Sequence, residues 1–231
     1  MGQKQRLRET TPPLLYRAAM RGVYGRRFDI EGSGVTDALF IYLDGEPSAA
    51  AIAMLEKCFR ARPWVCLTPA WEDCLCEQYP LARVFRRWQM KPSAHFSLPK
   101  TEVIPKGYHI ASFDEVTFAA HPFSHGVNYP SYEVFCADGS GAVAFQGDQI
   151  VSSASSFLSL DGEVELDVST LEAHQGRGLA SACIAHMLRD CDARGIVVHW
   201  DAQNDISKHL AEKYGFEVDT EYSVYWLPAT T

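Results

Sequence analysis

The stretch "DVSTLEAHQGRGLASACIAHMLRDC", residues 167–191, decides the fold, because two glycines flank an arginine just before a segment with helical spacing. Apolar residues recur every three or four positions from Leu179 to Cys191, and Gly195 is placed to end the helix. The first turn of a helix presents unpaired backbone N–H groups and the positive end of its dipole, where a phosphate binds readily. The loop therefore predicts a phosphate cradle or, as the alternative, a tight turn with only a structural role.

The spacing of these glycines excludes two better-known phosphate loops. Gly176 and Gly178 do not form a G-x-G-x-x-G pattern, and no Lys-Ser or Lys-Thr pair follows them. The sequence thus argues against a dinucleotide or a nucleoside triphosphate as the ligand of this loop.

The segments on both sides of the loop predict a sheet with crossover helices. Upstream, residues 141–170 show two or three antiparallel strands, with turns at Gly147–Asp148 and Asp161–Gly162. Downstream, a strand "IVVHW", a helix "NDISKHLAEKYGF" and a strand "EYSVYWL" follow in turn. This order favours a mixed α/β (α+β) fold over a meander of hairpins.

The N-terminal part reads as a separate α/β domain. Prolines and lysines in "SLPKTEVIPKGYH", residues 97–109, interrupt the apolar patterns, so we expect one domain over 1–98 and another over 99–231. In the first we expect a strand before an Asp44–Gly45 turn, then a strand or a helix, and a short strand in "RPWVCLTP". Residues 70–90 show helical spacing broken at Pro80.

Composition bounds the class of protein and its partners. The formal net charge of -8 argues against nucleic-acid binding, which rests on clustered Lys and Arg. No apolar run reaches the ~18 residues of a spanning helix, and the N-terminus does not look like a secretion signal, so we expect no membrane partner and a cytoplasmic location. The seven cysteines lack the paired spacing of a zinc site, so no metal is expected.

The glycine loop resembles the Q/R-x-x-G-x-G/A signature of the GCN5-related N-acetyltransferase (GNAT) superfamily through "QGRGLA", residues 175–180. The resemblance continues in "ELDVST" before the loop and in "WDAQNDISKHLAEKYGF", residues 200–216. It looks closest to the zwittermicin A resistance-type branch of that superfamily. Membership would imply a GNAT fold with a mixed, mostly antiparallel sheet, preceded by a degenerate GNAT-like N-terminal domain.

The resemblance implies that acetyl-CoA is the cofactor and that the loop holds its pyrophosphate. Val168 would pair with the pantetheine arm, Asn204 would hydrogen-bond it, and Ser207 would lie close by; as alternatives, Asn204 is only a helix cap and Ser207 only a solvent-facing residue. Arg177 would add a positive charge or pair with Glu172. The implied cofactor-binding residues are Val168, Gln175, Gly176, Arg177, Gly178, Leu179, Ala180, Asn204 and Ser207.

The chemistry needs a base for the attacking amine and an acid for the leaving thiolate. Glu163, Glu165 and Asp167 alternate with apolar residues and so share one strand face, and Glu165 is the predicted base because its charged neighbours would raise its pKa. The alternative is a row of solvated carboxylates. The family's usual tyrosine acid falls at Ala211, which leaves water, Ser207 or the amine's own proton.

The expected acceptor is a primary amine of a small molecule, and the branch name points to self-resistance against an amino-bearing antibiotic. Glu163, Asp167 and Asp201 would face the incoming ammonium, although Asp201 could instead begin the next turn. Residues 121–135 have the aromatic and histidine content of a substrate-facing loop, or they approach a buried strand. The competing functions are a non-catalytic acyl-CoA-binding module and acetylation of a macromolecular amine. We expect a monomer or a homodimer.

Overall fold

The computed structural model describes residues 12–94, 96–98, 104–120, 122–123 and 128–227. These residues form two compact units. The first comprises residues 12–89, 202–205 and 218–227, and the second comprises the described residues of 90–201 together with 206–217. The expected division between residues 98 and 99, and a GNAT-like origin of the N-terminal part, stay predictions.

The first unit contains three helices and a sheet. The helices are α1 (Leu14–Met20), α2 (Ala49–Met54) and α3 (Pro69–Gln78), with α2 continuing into a π-helical turn at Leu55–Phe59. The strands are β1 (Arg26–Ile30), β2 (Ser33–Asp37), β3 (Ile41–Gly45) and β4 (Trp64–Cys66), joined by the last strand of the chain, β11 (Phe216–Trp226). The strands β3 and β4 are parallel, and the other pairs in this sheet are antiparallel.

Two expectations for the first unit are settled by its elements. The expected turn at Asp44–Gly45 is wrong, because both residues are the last of β3 and pair with β2. The element after β3 is the helix α2, whose N-cap Ser48 accepts a hydrogen bond from the Ala51 N–H at 3.2 Å. The helical spacing of residues 70–90 is wrong beyond Pro80. The chain leaves helical geometry at Tyr79 and forms a strand, β5 (Arg83–Pro92), because a proline cannot continue the hydrogen-bond ladder of a helix.

The second unit carries the glycine loop of residues 175–180 and most of the segments on both sides of it. Its helices are α4 (Glu115–Ala120), α5 (Tyr132–Asp138), α6 (Leu179–Arg194) and α7 (Asp205–Lys213). Its strands are β6 (His109–Ser112), β7 (Gly141–Gln146), β8 (Gln149–Leu160), β9 (Glu163–Thr170) and β10 (Val197–Ala202), which pair in the order β10-β9-β8-β7-β6. Only β9 and β10 are parallel in this order, so the expected mixed and mostly antiparallel sheet is confirmed.

The long helix α6 behaves as its sequence predicts. Its apolar residues are buried and pack against β7 and β8. Gly195 adopts a left-handed conformation with a φ of 68°, and the Ile196 N–H donates to the Cys191 carbonyl at 2.8 Å, which ends the helix in a Schellman motif. The position of Gly178 at the other end of α6 is thereby fixed by the core.

Within the segment 121–135, the structure describes residues 122–123 and 128–135, and residues 121 and 124–127 lie outside the described residues. The end of this segment is helical, because Tyr132 begins the helix α5, capped by the Ser131 hydroxyl, and α5 leads to the buried strand β7. A substrate-facing role for the segment stays a prediction. Arg194 donates to the carbonyls of Cys136, Ala137 and Gly139 at the end of α5. Along the described ranges, no helix is both long and apolar enough to cross a membrane.

Candidate acyl-donor and acceptor site

The glycine loop lies where β9 gives way to α6. A single 3-10 turn, Glu172–His174, leads into Gly176 with a φ of 72° and Gly178 with a φ of 80°. Both conformations favour glycine, because a Cβ would be strained there. A Cβ placed on either residue would meet no atom within 4 Å, so the space beside both glycines is open.

The N-terminus of α6 fits an anion. Gly178 is the N-cap and offers no side-chain hydrogen bond, and the first turn carries no acidic residue. The first helical bond is donated by the Ala182 N–H to the Gly178 carbonyl at 3.0 Å, so the three preceding N–H groups of the helix have no partner within it. A diphosphate such as that of coenzyme A fits these donors and the positive end of the helix dipole.

The side chains of the loop fold back on its own backbone. Gln175 Nε2 donates to the Thr170 carbonyl at 3.2 Å, and Arg177 Nη2 donates to the Ala173 carbonyl at 3.3 Å. Arg177 is exposed and sits between the two glycines, so its charge lies at the loop whichever acceptor it takes. The predicted loop residues are thus brought together, while their contact with a ligand stays a prediction.

The parallel strands β9 and β10 pair over a short register. Val197, Val198 and His199 lie opposite Glu163, Val164 and Glu165. Beyond this last pair, β9 continues to Thr170 and β10 to Ala202. The two strands therefore part on the side of the glycine loop. Val168 lies on the stretch of β9 that no longer pairs with β10.

One face of the parted strands is acidic. Residues two apart share a strand face, and so do registered partners, so Glu163, Glu165, Asp167, His199 and Asp201 lie on the same face. Glu165 is only 7% exposed, which contradicts a fully solvated row of carboxylates at its position. Glu163 Oε2 lies 2.5 Å from His199 Nε2.

His199 is the residue that sequence reasoning missed. The sequence analysis predicts a role for Asp201, two residues further along, but none for His199. His199 and Glu163 are 36 positions apart and meet because β9 and β10 are adjacent and parallel. A histidine two residues before an acidic position on a strand was the available signal.

Ser207 is held by an aromatic neighbour. The Trp200 indole N–H donates to Ser207 Oγ at 3.0 Å, while the indole ring is buried and packs against Phe216. The serine hydroxyl keeps its own proton as a donor. Asn204 directly precedes the helix α7, and its role as a pantetheine ligand or as a cap stays a prediction.

The two positions considered for the general acid differ in chemistry. Ala211 is fully buried on α7 and is an apolar packing residue. Tyr214 is 4% exposed, and its hydroxyl donates to the Ser181 carbonyl at 2.5 Å. Burial raises the pKa of Tyr214 above its usual value. Both observations agree with a packing role for Tyr214.

The site thus consists of a mixed α/β sheet in which the parallel strands β9 and β10 part beside the N-terminus of α6. A family model described as GNAT acetyltransferase matches residues 23–225, and the chain belongs to this family. Within the described residues, no cluster of three or more His, Cys, Asp or Glu side chains could hold a metal ion.

Individual relatives agree with this assignment. A GCN5-related N-acetyltransferase-like protein from Streptococcus suis 89/1591 has 27% identity and a TM-score of 0.80, with 95% of both chains covered. A GCN5-related N-acetyltransferase from Kribbella flavida has 15% identity and a TM-score of 0.61, with 95% of this chain and 98% of that one covered, and shows the fold alone. An uncharacterized N-acetyltransferase of Bacillus subtilis (strain 168), YdfB, is 32% identical over 136 residues. That match takes in 56% of this chain and only 52% of the relative, about half its length.

Proposed function

We propose that the chain is an acetyl-CoA-dependent N-acetyltransferase that acetylates a primary amine of a small molecule. The observation that carries the proposal is the pair of left-handed glycines that opens α6 at the end of β9. Family membership and the likeness to the Streptococcus suis protein support the same activity.

In this proposal the backbone from Gln175 to Ala180 binds the pyrophosphate, and Arg177 adds a positive charge to it. From Glu165 to Thr170, β9 extends about 16 Å at the usual rise per residue, so an arm held at the loop can lie along β9 past Val168 to the last paired position. Asn204 and Ser207 bind the same arm from the start of α7. Acetyl-CoA, when bound, supplies the acetyl group as a thioester.

Glu165 then acts as the general base. A neutral amine attacks the acetyl carbon, and Glu165 takes the proton that the nitrogen loses. Burial favours this role, because a carboxylate screened from water binds a proton more readily than a solvated one. Glu163, Asp167 and Asp201 share its face and would attract an ammonium group before it is deprotonated.

Ser207 is our candidate for donating a proton to the departing thiolate. The indole N–H of Trp200 donates to the Ser207 oxygen, so this hydrogen bond does not use the hydroxyl proton of Ser207. The burial of Ala211 supports the view that this chain does not use the family's tyrosine. If Ser207 has no such role, water or the proton of the amine itself completes the reaction.

The acceptor that we propose is an amino-bearing antibiotic, as in the zwittermicin A resistance-type branch, with the N-terminal part as a degenerate GNAT-like domain. The net charge of -8 supports a cationic acceptor and counts against tRNA-bound amines. The absence of a tyrosine at Ala211 would also suit a non-catalytic acyl-CoA-binding module.

One experiment separates these functions. The purified chain is incubated with acetyl-CoA and a panel of spermidine, kanamycin, glucosamine and Nα-acetyl-lysine, and free thiol is measured. We expect acetyl-CoA to raise the melting temperature and at least one small amine to release thiol. A thermal shift without thiol release from any amine would favour the binding module, and no thermal shift would refute the cofactor assignment.

A further inference from the structure

We propose that His199, positioned by Glu163, carries the proton of each reaction cycle from Glu165 to the solvent. This inference rests on the proposed function and concerns a residue outside the acetyl-CoA site described above. A base that takes a proton from every amine must lose it again before the next cycle, and Glu165 is poorly placed to do so alone because it is only 7% exposed.

The register of the sheet puts His199 beside Glu165. The two residues are direct partners in the last registered pair of β9 and β10, so their side chains leave the same face of adjacent strands. Neighbouring strands lie about 4.8 Å apart, which brings an imidazole within reach of a carboxyl group on the partner strand. The pair also marks the point where the strands part, which is where the proposed reaction takes place.

Glu165 is the least exposed of the three residues. The side chain of His199 is 29% exposed and that of Glu163 is 25% exposed. A proton passed from Glu165 to His199 therefore moves from a buried group to one that exchanges with water.

Glu163 gives the imidazole the orientation that a relay needs. Its carboxylate lies 2.5 Å from His199 Nε2, so the neutral ring keeps a proton on Nε2 and donates it to Glu163. The carboxylate also stabilises the imidazolium that forms when the ring accepts a second proton. On this face of β9 and β10 themselves, the other charged groups are Glu165 and Asp167 on β9 and Asp201 on β10, and these acidic groups favour the imidazolium as well.

The proton balance of the cycle is complete with these groups. A bond forms between the amine nitrogen and the acetyl carbon, the bond from that carbon to sulfur breaks, and the nitrogen proton passes to the Glu165 carboxylate. Glu165 hands this proton to His199, and the imidazolium beside Glu163 releases a proton to water. The departing thiolate takes the proton of the Ser207 hydroxyl, which regains one from water, so Glu165, His199 and Ser207 all return to their starting forms.

The first test needs no acceptor amine. Protein labelled with 15N-histidine is bound to coenzyme A, and His199 is assigned by NMR through its loss in a His199→Ala variant. We expect a neutral His199 to carry its proton on Nε2, with a downfield signal that disappears in Glu163→Gln. An Nδ1-protonated ring, or a signal unchanged in Glu163→Gln, would overturn the pairing that the relay requires.

The second test uses whichever amine of the panel releases thiol fastest. We expect His199→Ala to lower kcat by about tenfold or more, to leave the KM for acetyl-CoA unchanged, and to recover activity when imidazole is added to the buffer. Glu163→Gln should lower kcat less, and His186→Ala, a histidine of α6 bonded to Ser112, should behave as the wild type. A full kcat in His199→Ala, or a loss that imidazole does not restore, would overturn the relay. A wild-type chain that acetylates no amine would instead refute the proposed function, and the NMR test would still decide the pairing.

Discussion

Glu165 shows how much a single side chain depends on the sheet around it. It lies on a strand whose sequence alternates between acidic and apolar residues, yet the structure buries both its apolar neighbours and Glu165 itself. A buried carboxylate is costly unless its surroundings provide for its charge or its proton. Glu165 lies where β9 and β10 part, and the proton transfer that we propose there accounts for a buried carboxylate at this position.

The change from Glu165 to glutamine tests this use with little change in shape. We expect Glu165→Gln to lower kcat for the best amine by about 100-fold, because the amide cannot accept the amine proton, and to leave coenzyme A affinity unchanged. Steady-state thiol release and calorimetry measure the two quantities. Asp192→Asn, exposed at the far end of α6, is the matched control. Equal turnover in both variants would exclude Glu165 as the base.

Tyr214 is expected to matter for stability and not for turnover. Tyr214→Phe removes the hydrogen bond to the Ser181 carbonyl and should lower the free energy of unfolding by about 1 kcal/mol. Urea unfolding measures the loss, and thiol release should stay at the wild-type rate. A large fall in kcat, with stability preserved, would make Tyr214 the general acid after all.

At the scale of elements, a half-buried ion pair links β1 and β3, the two strands that flank β2 in the first unit. Arg27 donates to both carboxylate oxygens of Asp44 at 2.6 and 2.9 Å, and Tyr16 donates to the same carboxylate at 3.1 Å. Arg27 also pairs with Asp29 at 2.8 Å, but the Asp29 side chain is 75% exposed, against 21% for Asp44. Arg27 thus has one half-buried partner, Asp44, and one exposed partner, Asp29, so the contributions of the two ion pairs to stability can be compared.

We expect Asp44→Asn to destabilise the chain by about 2 kcal/mol, because it weakens three hydrogen bonds to a half-buried carboxylate. Asp29→Asn should cost less than about 0.5 kcal/mol, as is typical of an exposed pair. Urea midpoints with a common slope measure both. Equal losses would mean that burial does not set the strength of these pairs.

Most elements of the second unit could be predicted because their signals are local. Gly195 ends α6 and the Asp161–Gly162 turn joins β8 to β9, both through left-handed conformations that short sequences reveal. The strand β5, most of which lies in the first unit, could not be predicted, since its aromatic residues happen to fall at helical spacing. The burial of Glu165 and its pairing with His199 both depend on which strands lie next to each other in the sheet. A local stretch of sequence does not reveal which strands are adjacent.

At the scale of the whole molecule, buried thiol and phenol groups make the protein less stable as the pH becomes alkaline. Burial raises the pKa of Cys183 from 9.0 to about 12 and that of Cys191 from 9.0 to about 11. Burial also raises the pKa of Tyr129 from 10.0 to about 12. The unfolded chain ionises these groups first, so between pH 9 and 12 it binds fewer protons than the folded chain, and stability falls as pH rises.

We therefore expect the urea midpoint to be constant below about pH 8.5 and to fall steadily above it, as the unfolded thiols begin to ionise. Cys183→Ala should flatten the fall, since it removes one buried thiol, whereas Cys58→Ala, an exposed thiol, should leave it unchanged. Circular dichroism in urea from pH 8 to pH 11 measures the curve. A midpoint that does not change with pH would contradict the buried thiols.

The central claim is that the glycine loop holds coenzyme A through its diphosphate. Gly178 and Gly195 lie at opposite ends of α6, have similar left-handed φ values of 80° and 68°, and both face open space. Glutamate at either position therefore brings the same strain and the same charge, but only at residue 178 does it enter the proposed cradle.

Calorimetric titration of coenzyme A into the wild type, Gly178→Glu and Gly195→Glu is the most direct measurement. We expect Gly178→Glu to weaken binding by about 100-fold or more, through charge repulsion and the blocked N–H groups, while Gly195→Glu binds within about twofold of the wild type. Wild-type affinity in Gly178→Glu, or an equal loss in both variants, would contradict the assignment of the loop.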